Sequence, residues 1–229
     1  PALLERYPTL RGGVILASSL HNGPTPPPLA EAFRAEQLAT LARIGEMPLA
    51  EIPSLAAWRR AFSAFGVQPT QYRSAAEALL RRLTKQGDIP SISLLVDLGN
   101  LVSIRYGLPV AVVDTREVRG AITVRFADGS EPFTELDSGE VRHPEPGEVI
   151  FADAAGVVHA RRWCWRQSAQ SAARPSTGEA LITVEAHHAG AEADVTAALM
   201  DLEALVGRFA GGEFRGAVLS PEFPEFGAP

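Results

Sequence analysis

The chain holds a single cysteine, no long apolar run and no excess of positive charge. Cys164 alone excludes an internal disulfide and suits a reducing compartment. No stretch approaches the roughly 20 apolar residues that a membrane-spanning helix needs, so no membrane partner is expected. The opening PALLERYPTLRGG has no basic stretch leading into an apolar one, so no signal peptide is expected and the chain reads as cytoplasmic. A net charge of −6 argues against a dedicated nucleic-acid binder of overall basic character and confines any RNA contact to a local patch. P-loop, dinucleotide fingerprint, HExxH and CxxC are all missing. His187 and His188 are adjacent, and on a strand they would point to opposite faces and could not chelate one ion. No motif gathers Ser, His and Asp into a triad. Neither a metal nor an organic cofactor is implied.

What is present is enough for a full core: 229 residues, 46% of them hydrophobic, read as one domain over 1–229. GGVILASSL (12–20) predicts a buried strand, and HNGPTPPP (21–28) a loop. Helices are predicted over Leu29–Ile44, Ser54–Phe65 and 74–90. In the last of these Ser74 and Glu77 form a capping box, and Gly87 and Pro90 stop the helix. From Val110 the period changes to two, with strands at 110–114, 121–127, 148–153, 157–165 and 180–186. Asp128-Gly129 and Ala155-Gly156 read as hairpin turns. A final amphipathic helix spans about Ala191 to Phe209, and 219–229 is a tail. Helices first and strands after indicate α+β.

SISLLVDLGNLVSIRYG (91–107) predicts a helix apolar nearly all round, with Ser93, Asp97 and Asn100 in one narrow stripe. Either these groups satisfy local partners, or they form a site wall. RRWCWRQS (161–168) is equally open. Read as a strand, it puts Trp163 and Trp165 on one face and Arg162, Cys164 and Arg166 on the other. The tryptophans then pack a core, or they join the arginines in stacking and phosphate contact. Cys164 reads as a small packed residue rather than a nucleophile.

Taken in order, AFGVQPTQYRSAAEALLRR (64–82), IPSISLLVDLGNLVSIRYGLPVAVVD (89–114) and ARRWCWRQS (160–168) resemble free-standing proteins of the B3/B4 domain family. That family is similar to the editing module of the bacterial phenylalanyl-tRNA synthetase β subunit. The resemblance covers about residues 55–188 and implies the layered α+β fold of that family, with helices packed on a β-sandwich of unusual topology. It places Asp97 and Asn100 at an Asp and Asn of the synthetase helix. Pro109 and Asp114 bracket the segment that there carries an editing-site His, where Ala111 stands here. Glu185 falls at the Glu that reads the tyrosine hydroxyl. Trp163 and Trp165 fill a region that is a Gly-rich turn in the synthetase, and its Thr-Asp-Ala-Ser motif has no counterpart after His188.

What the resemblance implies is a module for tRNA or aminoacyl-tRNA, with trans hydrolysis of mischarged aminoacyl-tRNA as the activity open to it. Arg161, Arg162 and Arg166 would approach phosphate, and a Trp would stack on the terminal adenosine or the aminoacyl group. Asn100, Gln167 and Glu185 are the catalytic candidates, and Asp97 and Asp114 complete the implied site. With the His, the Gly turn and the Thr motif replaced, the expected amino acid is smaller than tyrosine. The alternatives are a non-catalytic binding protein for an amino-acid-like small molecule and a structural interaction module. An RNA reader should show one basic face despite the acidic total, whereas a small-molecule binder should show a pocket with convergent polar groups and no such face.

Overall fold

In the computed structural model, which describes residues 2–227, the Gly pair ahead of the first apolar run has a packing reason. A Cβ at Gly13 would stand 2.8 Å from Val184 Cγ1, 3.2 Å from Val195 Cγ1 and 3.3 Å from Leu199 Cδ1. Strand β1 (Arg11–Ser18) therefore lies flush against its neighbours only because that position is bare. It sits inside an antiparallel sheet of order β10-β1-β9-β2, where β2 is Val110–Asp114, β9 is Ala180–Ala186 and β10 is Glu213–Leu219.

The alternation of β9 sorts its side chains to two faces. Ala180, Ile182, Val184 and Ala186 enter a core roofed by α2 (Pro27–Ile44), α5 (Leu94–Tyr106) and α6 (Ala191–Leu205). Thr183 and Glu185 take the other face. The second sheet has the order β3-β6-β7-β4-β5, with β8 paired to β7. Its strands are β3 (Thr123–Phe126), β4 (Phe133–Thr134), β5 (Val141–Arg142), β6 (Val149–Ala152), β7 (Val158–Arg161) and β8 (Arg166–Gln167). A second core joins this sheet, through Val149, Phe151, Ala160 and the adjoining Trp163, to α1 (Ala2–Arg6) and α3 (Pro53–Ala64), through Leu3, Tyr7, Trp58 and Phe62. The class is α+β.

Helix α4 (Ala75–Gln86) begins where Ser74 Oγ accepts the Glu77 N–H at 3.3 Å, and it ends at Gly87, φ 82°. The predicted capping box is only half formed. The buried Glu77 carboxylate turns away from Ser74 to Arg59, at 2.6 and 3.0 Å.

The helix expected from Ser91 starts at Leu94, because Asp97 folds the preceding residues back over the helix start. Its Oδ1 accepts the Ile92 N–H at 2.9 Å, and its Oδ2 accepts the Thr25 hydroxyl at 2.5 Å and the Ser91 hydroxyl. Asp97 is fully buried and spent on structure. Asn100 is half-buried and makes no side-chain hydrogen bond among the described residues. Asp97→Ala should therefore cost about 2–3 kcal/mol in chemical denaturation, whereas Asn100→Ala should stay within about 0.5 kcal/mol. Equal losses would contradict this division of the polar stripe.

Three other expectations are corrected. Asp128-Gly129 closes no hairpin. The Glu131 carboxylate takes the Asp128 and Gly129 amides, at 3.1 and 2.9 Å, and the turn leads from β3 to β4, which do not pair, while β3 pairs with β6. The last helix gives way after Leu205 to a wider π turn, Val206–Ala210, and the strand β10 follows and takes in Leu219, the first residue of the expected tail. The expected tail, 219–229, runs past the described residues by its last two positions. The predicted strand over 157–165 stops at Arg161, and that early stop creates the site. By contrast, Ala155-Gly156 does turn β6 into β7, with Asp153 Oδ1 accepting the Ala155 and Val157 amides at 2.9 and 3.0 Å.

Candidate functional site between the two sheets

After β7 the chain adopts left-handed backbone at two successive non-glycine residues, Arg162 (φ 45°) and Trp163 (φ 61°). Such conformations are costly for side-chain-bearing residues unless their surroundings fix them. Glu148, buried beside the turn, supplies much of the fixing. Its carboxylate receives Arg161 through Nε and Nη2, both at 2.9 Å, and the Arg162 N–H at 2.8 Å. The Trp163 N–H reaches Val149 O at 2.6 Å, and Cys164 O accepts the first amide of α4, from Ala75, at 2.9 Å. The alternation of faces expected for a strand is lost here, and the two tryptophans separate.

Trp163 is fully buried. Tyr7, Trp58 and His187 stand edge-on around it, with centroids at 5.0, 5.2 and 4.8 Å. Its indole N–H donates to Glu185 Oε1 at 3.1 Å. Trp165 is only half-buried and lies edge-on to Tyr72 at 4.9 Å. The guanidiniums of Arg162 and Arg166 stand over its ring at 4.6 and 4.9 Å.

Between the sheets lies a cavity of about 90 Å³. One wall is the outer face of the first sheet, with Ala111, Val113, Thr183 and Glu185, completed by Pro109 and Val110 at the start of β2. The other is Phe151 and Ala160 with the turn residues Trp163, Cys164 and Trp165, and Ala75, Arg166 and Gln167 close it. At roughly 10–15 Å³ per water, the space holds several waters or a short side chain. Glu185 is the one carboxyl group in this wall. Burial pushes its pKa up to about 7, against the lowering effect of the Trp163 hydrogen bond. Its Oε2 takes no hydrogen bond among the described residues. The Cys164 thiol is pushed well up as well, by burial first and by Glu185 second, so it stays protonated.

Beside the cavity runs a groove of about 400 Å³ lined by Arg73, Arg81, Arg82, Lys85 and Arg166, with no acidic side chain among its lining residues. Arg81, Arg82 and Lys85 are exposed on α4. Trp165 and Arg166 line both cavity and groove. None of the four cations contributed by α4 and its approach was among the residues singled out from sequence. The signal was present as RRLTK (81–85), which sets charges on the face opposite Leu80 and Leu83.

Of the residues expected at the site, Trp163, Trp165, Arg166, Gln167 and Glu185 meet at the cavity, and Ala111 stands in the same wall. Gln167 is partly committed, its Nε2 donating to Val112 O and Ser171 O at 2.7 Å each. Arg162 lies just outside, over the Tyr72 ring at 3.9 Å. Asp97 and Asn100 are not brought to the cavity. Neither is Asp114, which is buried against Arg116 and Thr177, at 2.8 and 2.5 Å. Arg161, expected at phosphate, is buried on Glu148 instead.

The B3/4 domain family matches residues 57–197, more than half of the chain and including every residue that lines this cavity. The chain belongs to the B3/4 domain family. Relatives include the phenylalanine–tRNA ligase beta subunits of Shewanella oneidensis, 32% identical over 88 residues, and Streptomyces avermitilis, 39% identical over 80. These alignments take in 38% and 35% of this B3/4 chain but only 11% and 9% of the ligase subunits. Among solved structures, an N-terminal fragment of the Pyrococcus horikoshii phenylalanyl-tRNA synthetase beta subunit aligns over 53% of this chain and 41% of its own. It does so at 15% identity with a TM-score of 0.44.

Proposed function

We propose that this B3/4 chain binds the acceptor end of an aminoacyl-tRNA. Phosphates lie along the Arg/Lys groove, a base stacks on Trp165, and a small aminoacyl group enters the cavity toward Glu185. One observation carries the reading: a groove lined by cations and a largely apolar cavity share Trp165 and Arg166, so one ligand with a charged strand and a small acyl head can fill both. Net charge alone argued against RNA, and the local concentration of cations answers that objection. The family's ligase relatives supply the choice of tRNA over other RNA.

Glu185, with its carboxyl near neutrality, is the group able to hold and deprotonate a water. A fast deacylase also needs donors aimed at the developing oxyanion. The Trp163 N–H is already given to Glu185, the Gln167 amide to backbone carbonyls and Arg166 Nη1 to Asp137, which leaves the Thr183 hydroxyl and the rest of the Arg166 guanidinium as donors. Slow or absent turnover is therefore expected, and tyrosyl-tRNA should be excluded by size.

The test is binding of a tRNA carrying an amide-linked, hydrolysis-resistant alanine. Arg166→Ala and Lys85→Ala should each weaken binding about 3- to 10-fold at low salt and make its salt dependence shallower. No binding of charged tRNA at low salt would overturn the reading. Binding of free small amino acids instead would favour the small-molecule alternative, which the unpartnered Glu185 Oε2 also fits.

A further inference from the structure

We infer that the surface reads only the single-stranded 3′ end of its RNA, about four nucleotides, and makes no contact with the body of the tRNA. This rests on the aminoacyl-tRNA reading above and adds to it the size and form of the partner. Helix α4 sets the length. Its first residue, Ala75, lines the cavity, and Lys85 lies at the far end of the groove. Ten residues at about 1.5 Å each separate them by about 15 Å. A stacked strand advances about 3.4 Å per nucleotide, so the groove accommodates about four.

Acids flank the basic strip. The exposed Asp137 pairs with Arg166 at 3.0 Å beside the cavity, and the exposed Asp88 stands 3.8 Å from Arg82, just past the glycine that ends α4. A longer strand, or a duplex laid across the same face, would meet these carboxylates. The remainder of the chain is more acidic than its overall −6, because five cations are gathered in the groove. A reader of the tRNA body needs a second basic surface, and outside the groove sixteen cations are outnumbered by 27 acids, a balance that repels a phosphate backbone.

Three or four neutralised phosphates give a definite salt dependence. With about 0.7 of a counterion released per single-strand contact, affinity should fall about 20- to 50-fold between 50 and 200 mM salt. The experiment compares the intact chain's affinity for three RNAs. The first is full-length tRNA bearing amide-linked alanine, and the second a tetranucleotide bearing the same group. The third is a blunt duplex of equal charge count. The tetranucleotide should bind within about 5-fold of the tRNA, with the same salt slope, and the duplex at least 10-fold more weakly. The double variant Arg81→Glu/Lys85→Glu, exposed and remote from both cores, should lose tRNA and tetranucleotide in parallel. A tRNA bound more than 10-fold tighter than the tetranucleotide, with a steeper salt slope, would overturn the inference while leaving the aminoacyl-tRNA reading standing. Failure of every RNA to bind would overturn both.

Discussion

Trp163→Ala is expected to destabilise the protein by about 3–5 kcal/mol, the range for deleting a large buried aromatic. In a chain of this size that lowers the melting temperature by on the order of 10 °C. The loss has three parts. The indole fills the space between Tyr7, Trp58 and His187, and its removal leaves a cavity bounded by rings that cannot collapse together. It provides the hydrogen bond that Glu185 receives, so a carboxyl group with 8% exposure is left without a donor. Alanine also does nothing for the left-handed backbone at φ 61°. Trp163→Gly would relieve that last strain by about 1–2 kcal/mol and should still lie well below the wild type. Substituting glycine to widen the cavity for larger aminoacyl groups is therefore expected to unfold the protein before it changes selectivity. Trp163→Phe separates packing from hydrogen bonding: most of the ring contact survives, and the cost should fall to about 1–3 kcal/mol. Urea denaturation of the three variants is the measurement. A Trp163→Ala protein as stable as the wild type would mean that the aromatic cluster does not hold the turn.

The helices and most long strands could be read from sequence because their causes are local. Ser74 and Gly87 bracket α4, and alternation marks β9 and β2. The site turn has a distant cause. Nothing within RRWCWRQS announces that Arg162 and Trp163 go left-handed, because the carboxylate that anchors them belongs to Glu148, on the preceding side of the hairpin. Reading that stretch as a strand followed from its large, alternating residues and failed for this reason. Arg161 and Asp114, expected at the site, are held away from the cavity by partners likewise distant in sequence. A charged residue in a motif offers a hand to a ligand only if no buried partner has taken it, and partners in Glu148 and in Arg116 with Thr177 are invisible to spacing rules. Glu185 was singled out through resemblance, not pattern. Its alternation in ALITVEA says only that it leaves the apolar face of β9, and the opposite face, where it stands, is covered by a second sheet whose strands come from elsewhere in the chain. The α4 cations fail in the opposite direction. Arg81, Arg82 and Lys85 look like an ordinary solvated helix face until the fold sets Trp165 and Arg166 beside them.

Glu185→Gln and His187→Phe should change stability with pH in opposite directions, each by about 3 kcal/mol across the mildly acidic range. Both residues sit on the face of β9 and its extension that meets Trp163. Burial raises the Glu185 carboxyl from an ordinary 4.5 to about 7. Below pH 4.5 it is protonated in folded and unfolded chains alike and contributes no difference. Between 4.5 and 7 the unfolded chain ionises while the folded chain holds its proton, so wild-type stability falls with rising pH. The full loss, about 3 kcal/mol, is in place above 7. Glutamine keeps an oxygen for the Trp163 N–H and does not ionise. Glu185→Gln should therefore match the wild type near pH 4 and exceed it by about 3 kcal/mol at pH 8. His187 behaves in reverse. Enclosed by Tyr7, Trp58 and Trp163, its imidazole is lowered to about 3, by burial first and by the neighbouring His188 second. The unfolded chain then binds the extra proton between 3 and 6.5, and the wild type gains stability as pH rises, about 3 kcal/mol from pH 4 to 6.5. His187→Phe lacks that term, so relative to the wild type it should be at its best near pH 4 and lose about 3 kcal/mol by 6.5. His159, also lowered by burial, adds a slope of the same sign as His187, and it cancels when each variant is compared with the wild type at the same pH. Denaturation curves at half-unit intervals from pH 4 to 8 read both differences. A variant-minus-wild-type difference that stays constant with pH for Glu185→Gln would mean that its carboxyl ionises in the folded chain as it does in water. The cavity would then present a permanent anion, suited to the α-ammonium of an aminoacyl group and not to an acyl group without one.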